Sequence, residues 1–320
     1  MTFPRPWSLE RRLARFLEAG ARSPWLRLLA RGWARGAARR PRVPALPGVH
    51  LVGVEGATLG GSWKTPVSLA LARELAARGE RVVFWSHGYG GRRGGGRWVS
   101  PREAPWEAGD EAVLAARALE RVGVPVRVGE LGGWAGRGGV IVADGLRVER
   151  RSGACALLAL DEEEPWGAGE CPPAGDLRAR PRDLLEAASR VVVVGGGEPE
   201  RLPSGWWRGR WRLEASELRG ARVAAVTAVG RPGRFLGQLG RAGVEVVARV
   251  ELPDHGGVGA AEEAEARLGK GVFDAVVCTE KCALWLPERL RGRPVIAVRG
   301  ALELPAGLVG EVLQARHKWG

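Results

Sequence analysis

Lysine is scarce in this 320-residue chain: only four of its 49 basic residues are Lys, and the rest are Arg. A bias that general lowers the weight of any single Arg as a site signal, so what matters is where the arginines gather. Long apolar runs are also missing. No run of about 18 or more apolar residues occurs, which excludes a membrane-spanning helix. The amino-terminal segment has no apolar core of the kind a secretory signal needs, because Arg interrupts it every few residues. Cysteine is limited to Cys155, Cys171, Cys278 and Cys282, with no C-x-x-C pair and no His at zinc-finger spacing. These read as reduced, structural thiols of a cytosolic protein. No internal repeat is evident.

What is present is a folded α/β pattern with one basic end. Hydrophobic residues make up 45% of the chain, enough for a packed core, and the length suits two domains. The formal net charge is +13, and residues 1–42 hold eleven Arg against only Glu10 and Glu18. That segment reads as two short basic amphipathic helices over residues 1–40. Leu9, Leu13, Phe16 and Leu17 share a face of the first, and Trp25, Leu26, Leu29 and Trp33 form the apolar stripe of the second. Arg27, Arg31 and Arg35 recur at i, i+4 beside that stripe. A basic helix with Trp and Leu on its other side suits an anionic membrane surface, and the same pattern also suits a helical hairpin packed on the protein's own core. Nucleic acid is not expected as a partner, because the basic residues adjoin an apolar stripe.

From Val49 onward short apolar strands alternate with helical patterns, with strands expected at 49–54, 81–85, 124–128, 139–143, 154–160, 190–194, 223–228, 244–250, 273–278 and 294–298. This argues for parallel βαβ units. The expected fold is a P-loop NTPase-like, mostly parallel sheet with helices on both faces over 41–210, followed by a smaller α/β domain over 211–320. The Trp- and Arg-rich stretch 203–216 reads as the linker between them. Residues 88–96 read as a Gly/Arg-rich loop.

The stretch from Val49 to Thr65 reads as a strand, a glycine-bearing turn and a Lys-Thr pair opening a helix. In a P-loop, backbone N–H groups wrap phosphates, the Lys reaches the β/γ oxygens and the hydroxyl holds Mg²⁺. Thr58 and Trp63 stand where the general motif has its two glycines, so spacing alone leaves a plain strand–turn–helix open. Asp144 ends an apolar strand, as a metal-holding carboxylate does, or it simply turns the chain before Gly145. Asp110 is equally a helix N-cap ahead of Glu111, and His255 equally an ordinary loop residue.

Several segments in order resemble the tetraacyldisaccharide 4′-kinase family. Thr58-Leu59-Gly60-Gly61-Ser62-Trp63-Lys64-Thr65-Pro66 is similar to the family's [ST]-V-G-G-[TS]-G-K-T-P, which also lacks the first P-loop Gly. Ser86 to Gly91 resembles S-R-G-Y-G-G, and Ala108-Gly109-Asp110-Glu111 resembles A-G-D-E. Residues 140–145 resemble the strand ending in D-D-G, Pro173 to Arg178 resembles P-A-G-x-L-R, and Pro253-Asp254-His255 resembles P-D-H. Residues 228–235 and Thr279-Glu280-Lys281 extend the likeness. The resemblance implies ATP as phosphate donor, bound by Thr58, Leu59, Gly60, Gly61, Ser62, Trp63, Lys64 and Thr65, and Mg²⁺ held by Thr65 and Asp144. It implies that Lys64 neutralises phosphate charge and that Asp110 and His255 together activate the 4′-hydroxyl of an acylated glucosamine disaccharide 1-phosphate. It places the protein in the cytoplasm, peripheral at the inner face of the cytoplasmic membrane.

The chain departs from the family at Trp63 for Gly, His87 for Arg, Ala143 for the first Asp of D-D, Leu146 to Val148 for F-Q-H, and Cys282 for the Asp of T-E-K-D. Two alternatives follow. One is a catalytically impaired homologue that binds lipid or nucleotide in a regulatory role; the other is a kinase or ATPase of the same fold with another substrate. Oligomeric state and acyl-chain preference are not legible.

Overall fold

The computed structural model describes residues 6–21, 23–39, 42–92, 96–131, 138–149, 154–252, 257, 259–269 and 271–316. In chain order the first elements are α1 (Pro6–Ala19), α2 (Pro24–Ala38), β1 (His50–Gly56), α3 (Lys64–Ala77), β2 (Val82–Ser86) and β3 (Arg97–Val99). Next come α4 (Pro105–Ala108), α5 (Asp110–Leu119), β4 (Val126–Val128), β5 (Val140–Asp144), β6 (Cys155–Asp161) and α6 (Pro181–Ala187). Then follow β7 (Arg190–Gly195), β8 (Glu200–Arg201), β9 (Trp207–Glu214), β10 (Arg222–Thr227), α7 (Pro232–Arg241) and β11 (Glu245–Glu251). The last are α8 (Ala260–Leu268), β12 (Ala275–Thr279), α9 (Glu280–Ala283), β13 (Arg289–Leu290), β14 (Arg293–Glu303) and α10 (Ala306–Ala315).

The chain forms two compact units, Phe16–Trp211 with Leu302–Gly320, and Met1–Arg15 with Arg212–Ala301. A single cut near residue 210 therefore does not describe it. The chain re-enters the larger unit at Leu302, where His50 Nε2 lies 2.9 Å from the carbonyl of Val312 in α10. The expected linker over 203–216 is instead largely β9, paired parallel with β7 from Trp207 to Arg210. Alternating Trp and Arg give this strand one face to bury and one to charge, which composition alone reads as a linker.

In the larger unit the sheet runs β9-β7-β6-β1-β5-β2-β4-β3. Every neighbour is parallel except β3 on β4 and the short β8 on β9. The inner strands are buried on both faces, which explains their unbroken apolar sequences. Leu51, Val83, Trp85, Ile141 and Ala143 pack on one face with Leu146 and Val148. Helix α3 packs against β1, β2 and β5, with Val67, Leu71 and Leu75 fully buried. Each large side chain so buried stabilises the fold by about 1.5–3 kcal/mol. From β1 the chain builds outward through β2 in one direction and through β6 and β7 in the other. The end of β1 is thus the point where strand order reverses, and ligands in such sheets bind beyond the strands' carboxyl ends.

Helix α2 buries a face that differs from the expected one. Ala30, Ala34 and Ala37 enter an apolar cluster with Leu158, Leu160, Leu184, Val191 and Val193. Of the expected stripe only Leu26 packs there, while Trp25 is 77% and Leu29 61% exposed. Alanines let the helix backbone lie close on the sheet, and the bulky residues are left outside. Arg147 Nη1 donates to the carbonyl of Ala37 at 2.7 Å, answering one of the open carbonyls at the helix end.

The smaller unit carries a parallel sheet, β11-β10-β12-β14, with β13 antiparallel to β14. One face packs Ala224, Val226, Val250, Leu268 and Phe273, and the other Val223, Ala225, Phe235, Leu239 and Val277. Alternate residues of β10 thus serve both cores. All four cysteines are free and buried. Burial pushes the Cys155 thiol up to about 12 and the Cys171 thiol to about 11, so both stay protonated and inert.

Candidate active site

The turn between β1 and α3 is held from within and from outside. It folds back on the end of the strand so closely that a Cβ on Gly56 would fall 2.0 Å from Ser62 Oγ. The buried Thr58 donates its hydroxyl to the carbonyl of Gly60 at 2.7 Å. Gly61 and Trp63 both take left-handed conformations, at φ 60° and 61°. From outside, Leu59 N–H donates to the carbonyl of Asp176 at 2.9 Å, and Arg178 N–H to that of Ala57 at 2.9 Å. Arg178 Nε also donates to the carbonyl of Thr58 at 2.8 Å. The segment Pro173 to Arg178 is therefore the outer brace of the loop. Beyond it, the first turn of α3 offers open backbone N–H groups and the positive end of the helix dipole to an anion.

Lys64, the first residue of α3, places Nζ 2.6 Å from Glu111 Oε1 and 3.8 Å from Asp144 Oδ2. Thr65 donates its hydroxyl to Asp144 Oδ2 at 2.7 Å, and Ser68 donates to Asp144 Oδ1 at 3.2 Å. Asp144 is the last residue of β5, in register with Val54 of β1 and Ser86 of β2. It is only 2% exposed. Burial raises its carboxyl above the ordinary range; the Lys64 ammonium and the two hydroxyls pull it down, and the Glu111 charge pushes it up. A dication beside Asp144 would offset that burial. The donors suit Mg²⁺: a carboxylate and a hydroxyl, both hard oxygen ligands, leave the remaining positions to water and phosphate. Among the described residues no group of three or more His, Cys, Asp or Glu converges as a metal cage, so an ion here would rely on the nucleotide for further ligands.

Asp110 opens α5, is 2% exposed, and accepts the Glu111 N–H on Oδ1 at 2.8 Å. Its neighbour Gly109 sits at φ 89°, and a Cβ there would come within 2.5 Å of the Tyr89 carbonyl. The segments Ser86 to Gly91 and Ala108 to Glu111 thus touch backbone to backbone, which only glycine permits. His87 Nε2 lies 3.3 Å from the carbonyl of Gly145, and its ring meets Trp85 edge-on at 4.5 Å.

Of the expected residues, Lys64, Thr65 and Asp144 are in direct contact, Thr58 to Trp63 form the loop around them, and Asp110 joins them through Glu111. His255 lies outside the described residues. Three participants were not singled out from sequence. Glu111 pairs with Lys64, Ser68 is one helical turn from Lys64 and bonds Asp144, and Arg178 braces the loop. Glu111 and Arg178 had a signal, since both sit inside segments that carried the family likeness.

The departures have structural accounts. Ala143 is fully buried among apolar side chains, and Leu146 and Val148 fill the same cluster. Arg147 Nε lies 3.3 Å from Glu55 Oε2. Cys282 Sγ accepts the Ala228 N–H and the Thr279 hydroxyl, each at 3.0 Å, two bonds that an Asp would also accept.

A family model described as tetraacyldisaccharide-1-P 4′-kinase matches residues 26–316. A tetraacyldisaccharide 4′-kinase of Alkalilimnicola ehrlichii is 35% identical over 309 residues, covering 87% of this chain and 87% of the relative. Its counterpart in Parvibaculum lavamentivorans is 32% identical over 297 residues, covering 86% and 85%. The fold matches a crystal structure of LpxK from Aquifex aeolicus in complex with ATP, with TM-score 0.60 and 21% identity over 96% of this chain and 99% of that one. The likeness to that structure concerns the fold, while the family model and the relatives extend over nearly the whole sequence; the chain belongs to the tetraacyldisaccharide 4′-kinase family.

Proposed function

We propose that this chain is an ATP-dependent kinase that phosphorylates the 4′-hydroxyl of a tetraacyldisaccharide 1-phosphate, a step of lipid A biosynthesis. The observation that carries the reading is the contact of Thr65 with Asp144, 2.7 Å apart at the carboxyl ends of the strands, with Lys64 beside them. Family membership supports the choice of acceptor.

Phosphoryl transfer depends on positioning and on neutralising phosphate charge more than on covalent steps. Lys64 leaves Glu111 to pair with the β- and γ-phosphate oxygens, and the first turn of α3 adds its N–H groups. Thr65 and Asp144 would hold Mg²⁺, which would supply neutralisation of the phosphate charge. The family likeness assigns Asp110 and His255 to the acceptor: an imidazole is suited to taking the hydroxyl proton near neutral pH, and a carboxylate to supporting it in that role.

The acceptor is anionic and acylated, and α2 offers a surface that suits it. Trp25, Leu28 and Leu29 are exposed, with Arg27, Arg31 and Arg35 also exposed on the same helix. No helix among the described residues is long and apolar enough to cross a membrane. Peripheral contact of residues 1–40 with an anionic bilayer, at the inner face of the cytoplasmic membrane, follows from this pairing of Trp and Leu with Arg.

The test is transfer of labelled γ-phosphate from ATP to tetraacyldisaccharide 1-phosphate in mixed micelles, with the product's new phosphate located by NMR. Label on the 4′-oxygen supports the reading. ATP consumption without lipid product, or no consumption, opposes it.

A further inference from the structure

We propose that Trp63 is a positioning residue of the phosphate loop, held by Asp161 and Trp211 in the left-handed turn that precedes Lys64. The inference rests on the kinase reading for its consequence, but its geometry stands apart from that reading.

A non-glycine residue at φ 61°, ψ 1° is strained, and a glycine takes this conformation without penalty. The strain therefore needs a compensating set of contacts, and two are in place. The indole Nε1–H donates to Asp161 Oδ2 at 2.5 Å. The ring meets Trp211 with centroids 4.9 Å apart and planes tilted by 59°, within the range of favourable aromatic pairs.

Asp161 is itself fixed. It ends β6, is buried, and accepts the N–H groups of Glu163 and Glu164 on Oδ1 at 3.0 and 2.7 Å. One carboxylate oxygen is thus committed to its own turn and the other faces the indole. Hydrogen bonds to an ionised acceptor are stronger than neutral ones, so this contact is suited to holding a strained residue.

The consequence lies one residue on. Trp63 sets the direction in which α3 starts, and Lys64 and Thr65 are the first two residues of that helix. Any rotation at Trp63 moves Nζ of Lys64 and Oγ1 of Thr65 relative to Asp144, which sits on the other side of β1 from β6. The loop is therefore tied to β6 by a side chain, where a glycine leaves it to its backbone. The indole, engaged by Asp161 and Trp211, acts through the loop and not on the nucleotide.

The experiment uses the full-length protein with Trp63→Phe, Trp63→Gly, Asp161→Ala and the Trp63→Phe/Asp161→Ala double variant. Two readouts are taken: steady-state kinetics with Mg·ATP and the lipid acceptor, and amide hydrogen exchange across residues 57–66 without nucleotide. Loss of one charge-assisted bond at a binding loop is expected to raise KM for ATP about tenfold, with kcat changed by less than about threefold. The double variant should be no worse than the worse single variant, since both remove the same bond. Trp63→Gly should weaken ATP binding although it restores the residue the family uses, and exchange over 57–66 should quicken in every variant.

Unchanged KM and unchanged exchange in Trp63→Phe and Trp63→Gly would overturn the proposal, as would strictly additive losses in the double variant. Trp63→Phe keeps an aromatic ring at the position and leaves the Asp161 turn intact, so it guards against a variant that merely misfolds. If the parent protein transfers no phosphate, the kinase reading fails, and the exchange measurement alone then decides whether Trp63 orders the loop.

Discussion

Thr65 and Asp144 are separated by 79 positions in sequence and by 2.7 Å in the fold. Two independent features bring them together. The apolar run of β5 ends on Asp144, and the helix that starts at Lys64 begins where β1 stops, one strand away. A hydroxyl and a buried carboxylate so placed, beside a Lys at a helix N-terminus, have little structural justification without a ligand. Taking Asp144 out of water costs stability that its partners only partly return.

That cost gives the first prediction. The Asp144 carboxyl is raised by burial, so the folded protein binds this proton more tightly than the unfolded chain. The resulting stabilisation is full below the ordinary carboxylate range and is lost as pH rises through the raised value. Asp144→Asn should therefore unfold at a higher temperature than the parent at pH 7.5, and the gap should close as pH falls toward 4, while metal-dependent turnover is lost. Paired thermal melts across pH, with activity at pH 7.5, check both halves.

Glu111 is the counterion of Lys64, and both side chains are largely buried. Glu111→Ala should lower stability by about 1–3 kcal/mol, because it leaves a largely buried ammonium with less compensation. Excess Mg·ATP should recover part of the loss by supplying phosphate charge in its place. Thermal unfolding with and without nucleotide reads this directly.

How much of this was legible beforehand depended on range. The strand–loop–helix from Val49 and the strand ending on Asp144 follow from local apolar pattern and from residue type. Partners set by tertiary contact did not. Nothing in the sequence around Arg178 says that its guanidinium grips the carbonyl of Thr58, and nothing around Asp161 says that it receives the Trp63 indole. Helix α2 shows a different limit: its largest apolar residues suggest the buried face, yet three alanines are buried because they allow a closer approach to the sheet.

That assignment of faces yields opposite predictions for neighbouring residues. Trp25→Ala combined with Leu29→Ala should leave the fold intact, since both side chains are exposed. It should weaken partition onto anionic vesicles by about tenfold or more, given about 1.5–3 kcal/mol per large apolar group withdrawn from an apolar phase. Ala34→Leu should instead destabilise by about 1–3 kcal/mol through overpacking, with vesicle binding retained by the folded fraction. Vesicle sedimentation and thermal melts separate the two outcomes.

Arg178 offers a test of the loop's outer brace. Arg178→Ala removes the donor to the carbonyl of Thr58, and should raise KM for ATP by about threefold to tenfold, on the scale of one or two ordinary hydrogen bonds. Arg178→Lys should recover little of this, because an ammonium cannot reproduce the guanidinium fork. Kinetics at varied ATP and saturating lipid acceptor are the measurement.

The central claim is that Lys64, Thr65 and Asp144 form a working phosphoryl-transfer centre despite Trp63 and Ala143. It is tested most directly by the rate of γ-phosphate transfer from ATP to tetraacyldisaccharide 1-phosphate in mixed micelles, measured for the parent and for Lys64→Ala. Measurable transfer by the parent and a loss of roughly 10²–10³-fold in the variant are expected, the scale of removing one preorganised charge-stabilising group. Equal rates in the two proteins, or no transfer by a folded parent, would contradict it.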